Sequence, residues 1–154
     1  MDVYEVLFHI REISRGDAKR KHIPENSAYA ELFKQVYEYI QEQLEAQNNG
    51  LVVVTNPMLI TKVERDQDVG CWKVYLSLVQ KRPEKECILW DLMHEYGHTK
   101  HAGMDRLAPK EIRYEHEKTV WSDAWAEISQ LFPAIEPYWE NYENWMNDCL
   151  ATYK

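Results

Sequence analysis

Paired thiols are missing from this chain. Its three cysteines, Cys71, Cys87 and Cys149, are odd in number and widely spaced, with no C-x-x-C. That spacing excludes a disulfide framework and a thiolate zinc cluster, and predicts reduced thiols in a cytoplasmic protein. Positive charge is short as well: 18 Lys and Arg against 26 Asp and Glu leave a net charge of −8. A protein that grips a phosphate backbone needs a basic surface to release counterions, so no nucleic-acid partner is expected. The one basic run, Lys19-Arg20-Lys21-His22, reads as a solvated loop. No apolar run approaches the length of a membrane span. The opening MDVYEVLFHIREISRG lacks the basic start and apolar centre of a signal peptide. Repeats, long linkers and low-complexity segments are also lacking, which predicts one domain over residues 1–154.

What is present is enough for a core, since hydrophobic residues make up 45% of the 154. Six Trp and ten Tyr against three Phe predict amphipathic aromatics that pack helices and keep their polar tips near the surface. Val3, Val6, Leu7 and Ile10 fall at helical spacing within residues 2–15, and Gly16 with the basic run ends that segment. Asn26 or Ser27 offers the next helix start. Tyr29, Leu32, Phe33, Val36, Tyr37, Ile40 and Leu44 then form an i, i+3, i+4 stripe that stops at Asn48-Asn49-Gly50. The texture changes at LVVVTNP (51–57), MLITKVE and CWKVYLSLV (71–79), whose β-branched and aromatic residues predict strands. MLITKVE is expected in the middle. Helical patterning returns near 84–101, 110–131 and 134–151, with breaks around Gly103 and at Pro133. This order predicts an α+β fold, with helices on a small, mostly antiparallel sheet of about three strands. The last helix, carrying Ile135, Tyr138, Trp139, Tyr142, Trp145, Met146 and Cys149, reads as core packing or as a partner surface.

Within ILWDLMHEYGHTKH (88–101), His94-Glu95-Tyr96-Gly97-His98 is H-E-x-x-H. On a helix, residues i and i+4 share a face one turn apart, so two imidazoles can converge on one ion. The intervening Glu95 lies near enough to take a proton from metal-bound water. Without a metal, two histidines on a mostly buried helix would each need another polar partner.

A catalytic zinc takes a third protein ligand and keeps one position for water. The extended form H-E-x-x-H-x-x-G-x-x-H fails, because His101 stands where Gly is required and Met104 where the last His is required. The helix after Gly103 offers a better candidate. Glu117, Trp121, Ala124 and Ile128 fall within about 60° of one another at 100° per residue, which puts a carboxylate on an apolar stripe. Such a buried charge needs a partner. Glu115 lies nearly opposite, Glu111 is poorly aligned and Glu127 is displaced by about 80°. The alternative for Glu117 is a surface ion pair with Arg113. His101, Tyr114 and His116 read as surface residues, any one of which could donate to a developing oxyanion. Asp91 could accept from an imidazole N–H, or could simply favour the start of its helix.

H-E-Y-G-H on an aromatic-rich helix, followed by Glu117, Trp121 and Ala124 on the next, resembles the gluzincin group of metallopeptidases. Within that group it is most similar to the small ImmA/IrrE-type proteins of bacteria and phages, over roughly residues 30–130. The resemblance implies a zincin-like fold and a zinc ion, with His94, His98 and Glu117 as ligands and Glu95 as general base. It implies an endopeptidase acting on a protein or peptide, often a repressor or regulatory protein, with an edge strand that aligns the substrate. Residues 71–79 are the expected edge. The family's E-x-x-A becomes Glu117-Lys118-Thr119-Val120 here, and no helix-turn-helix is evident. The competing expectations are a metal-containing binding domain that captures a partner without cutting it, and an acidic interaction domain in which the motif is coincidence.

Overall fold

The computed structural model describes residues 2–15, 28–66, 68–101, 103 and 107–153, with the backbone alone for 11–15. Gly16, the basic run at 19–22, the expected helix start at Asn26 or Ser27, and Met104 lie outside the described residues.

Helix α1 (Val3–Arg15) starts where Asp2 and Glu5 cap each other. The Glu5 N–H donates to Asp2 Oδ1 at 2.9 Å and the Asp2 N–H to Glu5 Oε2 at 3.2 Å. This reciprocal pair is a capping box in which Asp takes the place of Ser or Thr. Helix α2 (Ala28–Ala46) buries the whole predicted stripe from Tyr29 to Leu44. It stops because Asn48 turns left-handed at φ 59°. Gly50 is then free to open strand β1 (Gly50–Val54).

Strands β2 (Lys62–Arg65) and β3 (Trp72–Ser77) complete a sheet of order β1-β3-β2. Two expectations fail here. The sheet is mixed, with β1 parallel to β3 and β2 antiparallel to it. And β3, expected at the edge, is the middle strand, while β2 is an edge. The residues explain the order. Val74 and Leu76 of β3 are fully buried, as a central strand requires. Lys62, Glu64 and Arg65 make β2 polar, which suits the solvated edge of a sheet rather than its buried middle. A tight return through Gly70, at φ 73°, makes β2–β3 the local hairpin.

Register puts Leu51, Val53, Val63, Val74 and Leu76 on one face of the sheet; Val74 and Leu76 belong to the hydrophobic core and the other three pack, partly buried, against it. Against it runs helix α3 (Cys87–His98), shorter at both ends than predicted, which also meets α2, α4 and α5. Helix α4 (Lys110–Leu131) buries Val120, Trp121, Ala124, Trp125 and Ile128. The expected last helix is divided. Residues Pro133–Tyr138 form a 3-10 turn containing Pro137, and helix α5 (Trp139–Leu150) begins only after it. Pro137 has no N–H to donate and disfavours helical geometry in the residue before it. A final 3-10 turn spans Ala151–Tyr153. Among the described residues, no helix is long and apolar enough to cross a membrane.

The aromatics behave as their chemistry suggests. Trp90, Trp121, Trp125, Trp139 and Tyr142 pack ring to ring between α3, α4 and α5. Their polar tips find acceptors: Trp90 Nε1 donates to Asn141 Oδ1 (2.7 Å) and the Tyr142 hydroxyl to the Trp121 carbonyl (2.6 Å).

Candidate metal centre

Gly97 governs how the site is assembled. A Cβ there would stand 3.0 Å from Val120 Cγ1 and 3.3 Å from the Val120 carbonyl oxygen, closer than side chains normally approach. Its absence lets α4 lie against the last turn of α3. This close approach brings Glu117, one turn before Trp121, opposite the two histidines.

His94 Nε2 then lies 2.7 Å from Glu117 Oε2, His98 Nε2 lies 3.2 Å from the same oxygen, and the two imidazole nitrogens are 3.1 Å apart. All three side chains are partly buried. Protons on the imidazole nitrogens can satisfy these contacts, and the same three atoms, once deprotonated, point their lone pairs at one position where a cation would fit. A tetrahedral ion with ligand bonds of about 2.0–2.1 Å has ligand–ligand edges of about 3.3 Å. Two edges of the triangle match that, and the 2.7 Å edge opens to it with a small side-chain shift. His94, His98 and Glu117 therefore fit a metal ion and could hold one.

The surroundings favour positive charge in that position. Burial works against a charged His94, but hydrogen bonds to Glu117 and Glu95 outweigh it and raise its pKa to about 9. Burial likewise opposes ionised Glu117, yet His94 and His98 hold its carboxyl well below the usual range. The His94 ring is also fixed in place by stacking on Trp121, with centroids 4.1 Å apart and planes within 6°. Trp121, buried at 1% exposure, shares the Glu117 stripe as its spacing predicts, and it also serves as a platform for the imidazole, which spacing within one helix does not reveal.

The trio lines an open cleft of about 780 Å3, with β2 on the opposite side. Glu95 is on its wall, with Oε1 3.4 Å from His94 Nδ1. Thr61, Lys62, Val63, Glu64, Arg65, Trp72, His116 and Tyr153 complete most of the lining. Burial and the neighbouring His98 lower the His116 pKa, while burial and Glu117 raise that of the Tyr153 phenol. Tyr153 was missed because an isolated Tyr in a short 3-10 turn carries no motif.

Other expectations fall elsewhere. Asp91 accepts from Arg82 Nε (2.6 Å) and Trp145 Nε1 (2.8 Å), and among the described residues it bonds to neither imidazole. As the fifth residue of α3 it does not mark the helix start either. His101 Nε2 sits 3.3 Å from Asp123 Oδ2, outside the cleft lining, and Tyr114 packs half-buried on the core. The Arg113–Glu117 ion pair does not form; Arg113 lies over the Tyr153 ring instead. Glu115 is exposed. Glu127 accepts from Tyr39, Tyr96 and Lys100 and is not part of the cleft lining, as its displaced angle implied. The expected substrate edge, 71–79, contains β3, which lies between β1 and β2, so among the described residues the strand that borders the cleft with an unpaired edge is β2.

No family model, curated protein or solved structure matches the chain.

Proposed function

We propose that this protein is a zinc-dependent endopeptidase with a zincin-like site. The observation that carries the reading is the convergence of His94 Nε2, His98 Nε2 and Glu117 Oε2 beside Glu95, in an open cleft bordered by an edge strand. Two imidazoles and one carboxylate are a donor set typical of catalytic rather than structural zinc, because they leave a coordination position for water. A bound zinc would supply a Lewis acid that acidifies water and polarises a carbonyl group.

The chain's own residues do the rest. Glu95 accepts the proton released by the attacking water and delivers it to the departing amine. Tyr153 and His116 line the same cleft as donors toward the negative charge growing on the carbonyl oxygen. The free edge of β2 offers backbone groups to an extended peptide, which aligns a main chain without demanding a particular side chain.

One observation favours the second reading, a metal-containing domain that binds a partner without cutting it. Glu95 Oε1 lies beside His94 Nδ1, on the ring nitrogen facing away from the triangle, where it could serve only to orient the imidazole. Glu95→Gln separates the two. The peptidase reading expects zinc to stay stoichiometric while cleavage of a fluorogenic peptide mixture falls by at least about 100-fold. A variant that cleaves as well as the wild type removes the general-base role, and a wild type that loads zinc but cuts nothing supports the binding domain.

A further inference from the structure

Arg82 is an almost wholly buried guanidinium outside the metal triangle, and its hydrogen bonds run in two directions. Nε donates to Asp91 Oδ2 at 2.6 Å, one turn before His94 on α3. Nη2 donates to Thr61 Oγ1 at 3.0 Å, the residue immediately before β2. Nη1 reaches the Gln80 carbonyl at 3.3 Å. The network closes on itself: Thr61 Oγ1 also accepts from the Ser77 N–H (2.9 Å), and the Thr61 N–H donates to Gln80 Oε1 (2.9 Å). From the other side, Trp145 Nε1 occupies the second Asp91 oxygen at 2.8 Å.

We propose that Arg82 is a positioning residue for the cleft, tying the head of strand β2 to the metal-ligand helix and so setting the gap across which a peptide lies. A planar guanidinium with several fixed donors can hold two elements at one separation; a lysine ammonium, a point charge on a flexible stem, cannot. The bridge is needed because β2 is an edge strand of only four residues, held among the described residues by backbone pairing with β3 alone. Its Thr61, Lys62, Val63, Glu64 and Arg65 neighbourhood faces the metal triangle across the cleft. Without the tether, β2 is free to tilt about β3 and the cleft loses a defined width. Removing a buried partner also leaves the other polar group stranded, so the network behaves as a unit.

This inference rests on the peptidase reading for what occupies the cleft, and the experiment keeps the two apart. Arg82→Lys is the obvious variant, but it risks unfolding by leaving Asp91 poorly paired. Thr61→Val keeps the shape and removes only the hydroxyl, and Thr61→Ser restores that hydroxyl. In Thr61→Val we expect unchanged zinc stoichiometry, a KM about tenfold higher for the fluorogenic peptide that the wild type cuts best, and kcat within about twofold. Amide hydrogen exchange at Lys62–Arg65 should quicken about tenfold while that of Asp91–His98 stays as in wild type. Thr61→Ser should return both readings. Unchanged KM and β2 exchange in Thr61→Val would overturn the tether. So would loss of zinc from that variant, or a Thr61→Ser protein that behaves like it. A wild type that holds no zinc, or cuts nothing, defeats the peptidase reading instead. Because the Thr61 hydroxyl also accepts from the Ser77 N–H, Arg82→Lys separates the two partners. Exchange of β2 in that variant, quickened as in Thr61→Val while the fold is kept, assigns the tether to Arg82, and unchanged exchange there removes it.

Discussion

His94 is held from three directions: Trp121 stacks on its face, Glu117 meets Nε2 and Glu95 meets Nδ1. Its raised pKa has a direct consequence for metal loading. Below about 9 the metal-free imidazole carries a proton that zinc must displace. Zinc affinity should therefore climb about tenfold per pH unit on approaching pH 9 and flatten above it. Titration calorimetry at neutral pH should show about one proton released from this ring, with a heat that scales with buffer ionisation enthalpy. Glu117 gives a second test at this scale. Glu117→Ala should weaken zinc binding by at least about 100-fold, whereas Glu115→Ala, on an exposed face, should leave it unchanged. Equal losses would remove Glu117 from the ligand set. His94, Glu95 and His98 were legible because one helical turn sets their spacing, and Glu117 because a carboxylate stood on an apolar stripe. Arg82 and Tyr153 were not, since what they touch lies on other elements.

Between elements, the decisive contact is α3 on α4 at Gly97 and Val120. Gly97 makes the room that the Val120 side chain takes. Gly97→Ala should cost about 1–3 kcal/mol by overpacking and should lower zinc affinity by moving Glu117 off the histidines. Val120→Ala in the same chain should recover much of both losses, giving a coupling that a double-mutant cycle can read. Additive losses would mean the helices are not held apart at this contact. Helix positions were readable from periodicity: the α2 stripe is buried residue for residue. Strand order was not. Period-2 patterning tells which residues face the core, but it does not say which strand lies in the middle, and that choice turned on the polarity of β2 and the turn at Gly70. The split before α5 was signalled by Pro137, which outweighed the amphipathic run around it.

Across the whole molecule, one central helix serves two purposes. The flank of α3 that packs with α4, α5 and the sheet is lined by Leu89, Trp90, Leu92 and Met93, all fully buried. Its last turn presents the histidines to the cleft. The abundance of Trp and Tyr follows from that architecture, because large rings with polar tips fill the space between three helices while their N–H and O–H groups still find acceptors. The α+β class was legible from the order of elements. The cleft was not, because it forms where β2, α3, α4 and the final 3-10 turn meet, and no sequence window contains all four. The most direct test of the account is anomalous diffraction at the zinc edge from crystals of zinc-loaded protein. It should give one peak within about 2.0–2.2 Å of His94 Nε2, His98 Nε2 and a Glu117 carboxylate oxygen, with an open position toward the cleft. Stoichiometric zinc bound elsewhere, or no peak beside an intact His94–His98–Glu117 triangle, would contradict it.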